Sequence, residues 1–218
     1  MNHLLELDSI RLSFNNSVIL SDVFMKCETG KVTGLLGRNG EGKTCLLKMI
    51  YGEWATDERS IRFDNIAIVH AYKRPDLIRY LPQFNFFPTF LTLEKVFDDF
   101  LLEFSPFEKR FPEFSSRHRS RLKTLSGGQL RFVQTYIIVK AKTQFCLLDE
   151  PFTHLMPLQI EKMLELITEE KKNKGFLITD HLYRHIVDIS DDLYLLVNGK
   201  THRVKNHTDI EDLGYARL

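Results

Sequence analysis

The sequence has 218 residues, 43% of them apolar, and a formal net charge of +1 from 30 basic and 29 acidic side chains. This length suits one large domain or a core with a smaller lobe, and the apolar share suffices for a sizeable core. The balanced charge excludes the overall electropositive surface of a nucleic-acid-binding chain, so no nucleic-acid partner is expected.

Three cysteines are spread along the chain without a C-x-x-C pair: Cys27, Cys45 and Cys146. A sparse, odd set predicts reduced thiols and a cytosolic compartment. The first residues lack a basic start followed by an apolar stretch, so no signal peptide is predicted. No window approaches the length of a membrane span, and any span would have to come from another chain.

The first 52 residues predict strands followed by a helix. Partial alternation in 4–14 and 18–28 favours antiparallel strands, and 31–36 predicts a buried strand. A glycine-rich turn follows, and the helix after it has Leu47, Ile50 and Tyr51 on one face, with Gly52 as its stop.

Residues 84–114 differ in composition because they hold ten of the 17 phenylalanines. Thr92 is a plausible cap for a helix with apolar residues at helical spacing, and prolines punctuate the stretch. This pattern predicts a small helical lobe. The helical spacing involves Leu93, Val96, Phe97, Phe100, Leu101 and Phe104.

The second half of the sequence alternates between strands and helices. A helix is expected to about 141, a buried strand in 145–150, an amphipathic helix over 158–173 and a strand in "GFLIT". A hairpin with an Asn198–Gly199 turn follows. Such alternation favours a mainly parallel sheet in an α/β core.

Residues 37–44, "GRNGEGKT", fit the pattern G-x-x-x-x-G-K-[ST] between a predicted strand and a predicted helix. Glycines let such a loop surround phosphate oxygens with backbone N–H groups, and the helix adds its positive end. In this interpretation Lys43 reaches the β- and γ-phosphates and Thr44 binds Mg²⁺. The alternative is a simple glycine turn ahead of a helix.

Two adjacent acids end the apolar strand of 145–150. Asp149 would hold Mg²⁺, and Glu150 would polarise the attacking water. Paired carboxylates repel each other, so a metal or buried donors must compensate. The alternative is a strand that ends in solvated acids before Pro151.

The stretch "TLSGGQ", residues 124–129, predicts a helix capped by Ser126, with backbone N–H groups exposed at two glycines. It is a candidate second anion site. The alternative is a helix cap with a flexible turn.

Together these residues resemble the nucleotide-binding domain of the ATP-binding-cassette (ABC) family, in the family's order, from residue 4 to about 205. "GRNGEGKT" resembles Walker A, "LSGGQ" matches the signature motif, and "FCLLDEP" resembles Walker B with its catalytic glutamate. Gln83 resembles the Q-loop glutamine, His181 the switch histidine, and Phe14 the aromatic residue that stacks on adenine.

The resemblance implies an ATPase with ATP and Mg²⁺ as cofactors. Glu150 and His181 would be catalytic, and Thr44, Gln83 and Asp149 would hold the metal. The implied nucleotide-binding residues are Phe14, Gly37, Arg38, Asn39, Gly40, Glu41, Gly42, Lys43, Thr44 and Gln83.

The implied fold is a P-loop NTPase core with a mainly parallel sheet, an N-terminal antiparallel β-subdomain and a small helical subdomain. The whole chain, 1–218, would be a single ABC ATPase domain. Residues 1–83 and 142–218 would form the core and β-subdomain, and 84–141 the helical subdomain that carries the signature.

The resemblance also implies partners. Two such domains would pair head to tail, as a homodimer or with a related ATPase subunit. The signature residues would then face the γ-phosphate of the opposite site. A separate transmembrane permease would dock near exposed aromatic residues at Phe84, Phe86 and Phe87, which places the protein peripherally on the inner face of the membrane. The signature residues are Ser126, Gly127, Gly128 and Gln129.

The sequence departs from the family pattern at Met156, where an aspartate is expected in the interface loop. Segment 53–82 is short, and Arg131 is the basic residue that remains near the signature. Two alternatives therefore stay open. One is a soluble ABC ATPase without a transport role, and the other is a nucleotide-gated subunit that barely hydrolyses ATP.

Overall fold

A computed structural model describes residues 2–15, 17–54 and 60–215, without the side chains of Phe14 and His207. Its helices are α1 (Lys43–Tyr51), α2 (Leu93–Asp99), α3 (Phe104–Arg110), α4 (Gly127–Lys140), α5 (Pro157–Glu170), α6 (Tyr183–Ile189) and α7 (His207–Asp212). Its strands are β1 (Leu4–Phe14), β2 (Ser17–Glu28), β3 (Val32–Gly37), β4 (Ser60–Phe63), β5 (Ile66–Ala67), β6 (Ile78–Leu81), β7 (Phe145–Asp149), β8 (Gly175–Thr179), β9 (Asp192–Val197) and β10 (Lys200–Val204).

The strands form one sheet in the order β5-β4-β1-β2-β10-β9-β3-β8-β7-β6. The five strands from β9 to β6 are parallel to their neighbours. Strands β1, β2, β4 and β5 pair antiparallel, as do β9 and β10. The predicted mainly parallel core with an N-terminal antiparallel part is therefore confirmed.

The central strands are buried on both faces of the sheet. Phe145 and Leu147 of β7 point into the apolar cluster beneath α1, whereas Cys146 and Leu148 point into the cluster beneath α4 and α5. All four are at most 1% exposed. A parallel strand covered on both faces needs a continuous apolar run, which explains why this segment shows no polar alternation.

The phenylalanine-rich stretch folds into α2, α3 and a short turn that pack on α4. The Phe107 ring lies 5.1 Å from Phe97, 4.8 Å from Phe114 and 4.6 Å from Tyr136 of α4, measured between centroids. Each such aromatic pair stabilises the packing by about 0.5–1.5 kcal/mol beyond its buried area. The division of the chain into a core and a helical subdomain stays a prediction.

The prediction of a single helix across 93–104 is wrong in one respect. Thr92 does cap α2, because its side chain accepts a hydrogen bond from the Lys95 N–H at 3.2 Å. However, α2 ends at Asp99 and α3 begins at Phe104. Leu101 lies between them with φ 56° and 93% exposure, so it takes no part in the apolar stripe.

Other local predictions are confirmed. Gly52 ends α1 with φ 83°, and Asn198 and Gly199 form the hairpin turn with φ values of 50° and 75°. Positive φ at both turn residues matches the right-handed twist of the two strands. Among the described helices, none combines the length and the apolar composition that crossing a bilayer requires.

Candidate functional site

Four neighbouring parallel strands deliver the candidate residues to one edge of the sheet. The glycine-rich loop follows β3, Gln83 follows β6, Glu150 follows β7 and His181 follows β8. These strands are adjacent in the order β3-β8-β7-β6 and run in one direction. Their carboxyl ends therefore meet in one place, which is where open parallel sheets bind ligands.

The loop after β3 is shaped for a close approach by its backbone. Gly42 has φ 99° immediately before α1, a conformation that a side chain disfavours. The Lys43 ammonium lies over the loop, where it donates to the carbonyl oxygens of Gly37 at 2.6 Å and Arg38 at 3.0 Å. Burial lowers the pKa of Lys43, and the charges of Glu150 and Asp149 oppose this.

Three oxygen atoms converge on the amide nitrogen of Gln83. Its Nε2 donates to Thr44 Oγ1 at 3.0 Å, to Asp149 Oδ1 at 3.2 Å and to Glu150 Oε1 at 2.8 Å. Hydroxyl and carboxylate oxygens are the donors that Mg²⁺ prefers. No group of three or more His, Cys, Asp or Glu side chains in the described ranges could hold a metal ion.

Asp149 is fully buried at the end of β7. The Tyr80 hydroxyl donates to its Oδ2 at 3.1 Å, and Thr44 donates to its Oδ1 at 3.3 Å. Burial raises the pKa of Asp149, the hydrogen bonds from Thr44, Tyr80 and Gln83 lower it, and the charge of Glu150 raises it again. A cation at this carboxylate would offset the cost of burying its charge.

Glu150 contacts the histidine at the end of the next strand. Its Oε1 lies 2.6 Å from Nε2 of His181, whose side chain is 48% exposed. Glu150 has φ 51°, a conformation that L-residues rarely adopt, and its N–H donates to the Thr179 carbonyl at 2.8 Å. A non-glycine residue held in this region is typical of functional sites.

The candidate residues surround a cleft of about 290 Å³. A larger groove of about 640 Å³ lies between α5 and α6, but Glu161, Glu165, Glu169 and Asp188 line it. Four carboxylates repel a triphosphate, so the groove is the poorer nucleotide site. The smaller cleft is lined by Asn39, Gly40, Gly42, Lys43, Thr44, Cys45, Gln83, Glu150 and His181.

Two side chains of the loop point away from this cleft. Arg38 donates to the Gly214 carbonyl at 2.6 Å, and the Glu41 carboxylate accepts from the Asn198 N–H at 2.8 Å. These two residues can serve a nucleotide through their backbone alone. The side chain of Phe14, the predicted adenine contact, lies outside the described residues.

The signature stretch forms the predicted cap of α4. The Ser126 hydroxyl accepts from the Gln129 N–H at 3.2 Å, and the Gln129 side chain accepts from the Ser126 N–H at 3.1 Å. A Cβ atom on Gly128 would lie 2.5 Å from the His154 carbonyl, so only glycine fits there. None of the described residues that line the cleft belongs to the signature.

Three residues at the site were assigned no role from the sequence. Tyr80 supports Asp149, Arg131 binds backbone carbonyls behind the site, and Asp180 accepts from the N–H groups of Phe152 and Leu182 at 2.9 and 3.0 Å. Arg131 had a signal, because it is the one charged residue between 130 and 139. Tyr80 and Asp180 had no comparable signal.

Comparison with known proteins identifies the family to which the chain belongs. The model of the ABC transporter family matches residues 20–153, more than half of the chain. The lipopolysaccharide export ATP-binding protein LptB of Acidithiobacillus ferridurans is 31% identical, over 97% of this chain and 94% of its own. LptB of Haemophilus influenzae is 30% identical, over 90% and 88%. The xylose/arabinose import ATP-binding protein XylG of Sulfolobus acidocaldarius is 29% identical, over 98% and 93%.

Solved structures agree on the fold. An ATP-binding subunit of an ABC transporter superposes with a TM-score of 0.82 at 24% identity, covering 97% of this chain and 94% of that one. The ADP conformation of an ATP-binding cassette gives 0.76 at 22% identity, covering 96% and 94%. The chain belongs to the ABC transporter family of ATP-binding, ATP-hydrolysing proteins.

Proposed function

We propose that this chain binds ATP with Mg²⁺ in the cleft at the ends of β3, β6, β7 and β8, and that its hydrolysis drives transport through a separate membrane permease. The observation that carries this proposal is the convergence of Thr44, Asp149 and Glu150 on the amide of Gln83. Phosphate groups would lie against the loop N–H groups and Lys43. Phe14, at the end of β1, would contact the adenine.

Thr44, Asp149 and Gln83 would hold the metal, since Gln83 can offer its amide oxygen in place of its nitrogen. When bound, Mg²⁺ neutralises charge on the phosphate oxygens during phosphoryl transfer. The Asp149 carboxylate supports this role because it is buried with three hydrogen-bond donors, none of which is a cationic side chain among the described residues.

Glu150 would polarise the attacking water, and His181 would contact the γ-phosphate and help to position that water. Their contact at 2.6 Å supports a shared task. Because His181 is half exposed at the mouth of the cleft, its ring can reach a ligand without a change of fold.

Two copies of the domain would pair head to tail around ATP, as a homodimer or with a related subunit. Ser126 and Gly127 support this arrangement because both are exposed at the amino end of the 14-residue helix α4. An exposed helix N-terminus with free N–H groups attracts phosphate. The signature, Ser126 to Gln129, would thereby bind the γ-phosphate held by the opposite Lys43.

The permease would dock beside Gln83, on the cytoplasmic face of the membrane. Phe84 and Phe90 support such a surface, with exposures of 58% and 69%. The expectation for Phe87 is wrong, because it is 8% exposed and its ring packs 4.2 Å from that of Phe86, which is itself partly buried. Exposed aromatic side chains beside the nucleotide site fit a partner better than solvent.

The alternative of a weakly hydrolysing subunit rests on Met156. This side chain is 68% exposed in the loop where the resemblance to the family implies an aspartate. The residues proposed for the metal, the water and the switch nevertheless lie at the ends of neighbouring strands, which favours the hydrolysing enzyme. An ABC ATPase without a transport role would share the same site.

The pairing is tested by sedimentation of the Glu150→Gln variant with ATP and Mg²⁺. The proposal expects a dimer with ATP, a monomer with ADP, and a monomer for Glu150→Gln combined with Lys43→Ala. A monomer under all conditions contradicts ATP-driven pairing.

Purification from detergent-solubilised membranes tests the transport role. A permease that co-purifies with the wild type but not with the Phe84→Ser variant supports this role. If no permease co-purifies with the wild type, the soluble alternative is favoured.

A further inference from the structure

Arg131 is a buried cation that no predicted role has used. It is 5% exposed on α4, on a helix segment that is otherwise uncharged from 130 to 139. Burial lowers the pKa of its guanidinium, and the charges of Asp149, Asp180 and Glu150 oppose this shift. Burying a cation is unfavourable unless its N–H groups are bound, so its partners indicate its purpose.

The partners of Arg131 are backbone carbonyls of two catalytic segments. Nη1 donates to Pro82, immediately before Gln83, at 2.6 Å. Nη2 donates to Asp149 at 2.6 Å and to Glu150 at 2.8 Å. One planar guanidinium thus binds the end of β6 and the end of β7 at the same time, which its fixed fork of donors allows and a single ammonium does less well.

The same two segments also meet through side chains. The Gln83 amide donates to Glu150 Oε1 at 2.8 Å on the cleft side, while Arg131 joins Pro82 to Glu150 from behind. Glu150 has a positive φ that surrounding bonds must maintain, and Arg131 binds its carbonyl. Loss of the guanidinium therefore removes a hydrogen bond from the Glu150 carbonyl and one from the Pro82 carbonyl, which loosens both segments together.

We propose that Arg131 is a positioning residue that fixes Glu150 relative to Gln83, so that a displacement of the Gln83 segment is transmitted to the group that polarises water. This inference rests on the proposed function of the cleft. Through Arg131, helix α4, which begins at the signature, contacts both catalytic segments directly. Arg131 itself touches no reacting atom.

A second buried cation, Lys174, lies between α5 and β8 and binds the carboxyl end of the same helix, so it provides a matched control. Lys174 is 3% exposed and donates to the carbonyls of Val139 at 2.8 Å and Ala141 at 2.5 Å, at the far end of α4. Like Arg131, it satisfies backbone carbonyls from a buried position. Unlike Arg131, it contacts no segment of the cleft.

The test is a double-mutant cycle of ATP turnover with Arg131→Met and Gln83→Ala, each rate normalised to the folded fraction. We expect Arg131→Met to lower kcat about 10- to 100-fold, as a misplaced catalytic group does, with KM for ATP changed less than about threefold. Because both changes break one linkage, the double variant should be no slower than the slower single variant. Arg131→Lys should regain part of the loss, and Lys174→Met should keep the wild-type kcat.

The proposal would be overturned if the two kcat losses multiply in the double variant. It would also be overturned if the kcat loss of Arg131→Met is no larger than that of Lys174→Met.

Amide hydrogen exchange gives a readout that needs no hydrolysis. Arg131→Met, or Arg131→Lys if the former does not fold, should raise exchange in both 78–87 and 145–153, whereas an increase in one segment alone contradicts the linkage. An inactive wild type would contradict the proposed function, and the exchange result would still decide the role of Arg131.

Discussion

Nε2 of His181 lies 2.6 Å from Oε1 of Glu150, so the residues that follow β7 and β8 meet across the mouth of the cleft. Their strands are neighbours in register, with Asp149 paired to Thr179. The pairing of β7 with β8 therefore brings the two residues together, and their side chains form the contact.

His181→Ala should lower ATP turnover about 100-fold, within the range for a group that positions a proton or a water in catalysis. ATP affinity should change little, because the loop and Lys43 would hold the phosphates. Steady-state kinetics and nucleotide titration measure the two effects. His202→Ala, on β10 away from the cleft, is the control, and wild-type turnover in His181→Ala would contradict the assignment.

Met156→Asp should stabilise the protein by about 0.5–2 kcal/mol because it supplies the side-chain cap that α5 lacks. An acid there also interacts favourably with the helix dipole. Met156 is 68% exposed, so the substitution removes no packing. Thermal unfolding should show a rise of about 2–4 °C per kcal/mol for a chain of this size. Met156→Leu is the control, and an equal or lower melting temperature for the aspartate variant refutes the expectation.

Asp192 gives a pH dependence of known sign. Burial raises its pKa, but the hydrogen bonds from Arg203 at 2.5 Å and Lys31 at 3.2 Å prevail and hold it below the ordinary value. A depressed folded pKa adds stability above the unfolded pKa, and this stability is lost as the pH falls through the folded one.

Asp192→Asn should therefore cost about 0.5–1 kcal/mol at neutral pH, because Arg203 and Lys31 are partly exposed and solvent screens their interaction with the carboxylate. The difference from wild type should shrink below about pH 4, the ordinary range of an aspartate. Urea unfolding at several pH values measures it. Asp188→Asn, an exposed acid of α6, should change stability by less than about 0.5 kcal/mol. A cost for Asp192→Asn that stays constant with pH would argue against the charged pairs.

Local sequence patterns predicted much of the fold. The Asn198–Gly199 turn, the Thr92 and Ser126 caps and the Gly52 stop each depend on a few neighbouring residues, and each was confirmed. Leu101 was misassigned because helical spacing continued past a point where the chain turns. Periodicity records which residues are apolar, but not where the backbone changes direction.

The site was predictable as a set of motifs but not as a set of contacts. Gln83 and Glu150 could be named from their order along the chain, whereas their 2.8 Å contact depends on β6 and β7 being adjacent. Arg131 binds backbone carbonyls distant in sequence, and Asp180 binds one such group, the N–H of Phe152. No short motif records such partners, so only the folded chain identifies them.

The most direct measurement is single-turnover hydrolysis of ATP with Mg²⁺ by wild type and Glu150→Gln. Glu161→Gln, which changes an exposed acid of α5, is the control. Wild type and Glu161→Gln should both hydrolyse ATP. The rate for Glu150→Gln should be at least about 100-fold lower with ATP still bound, as expected when a catalytic base is lost. Unchanged hydrolysis by Glu150→Gln would rule out its role at the attacking water, and no hydrolysis by wild type with ATP bound would rule out the proposed ATPase activity.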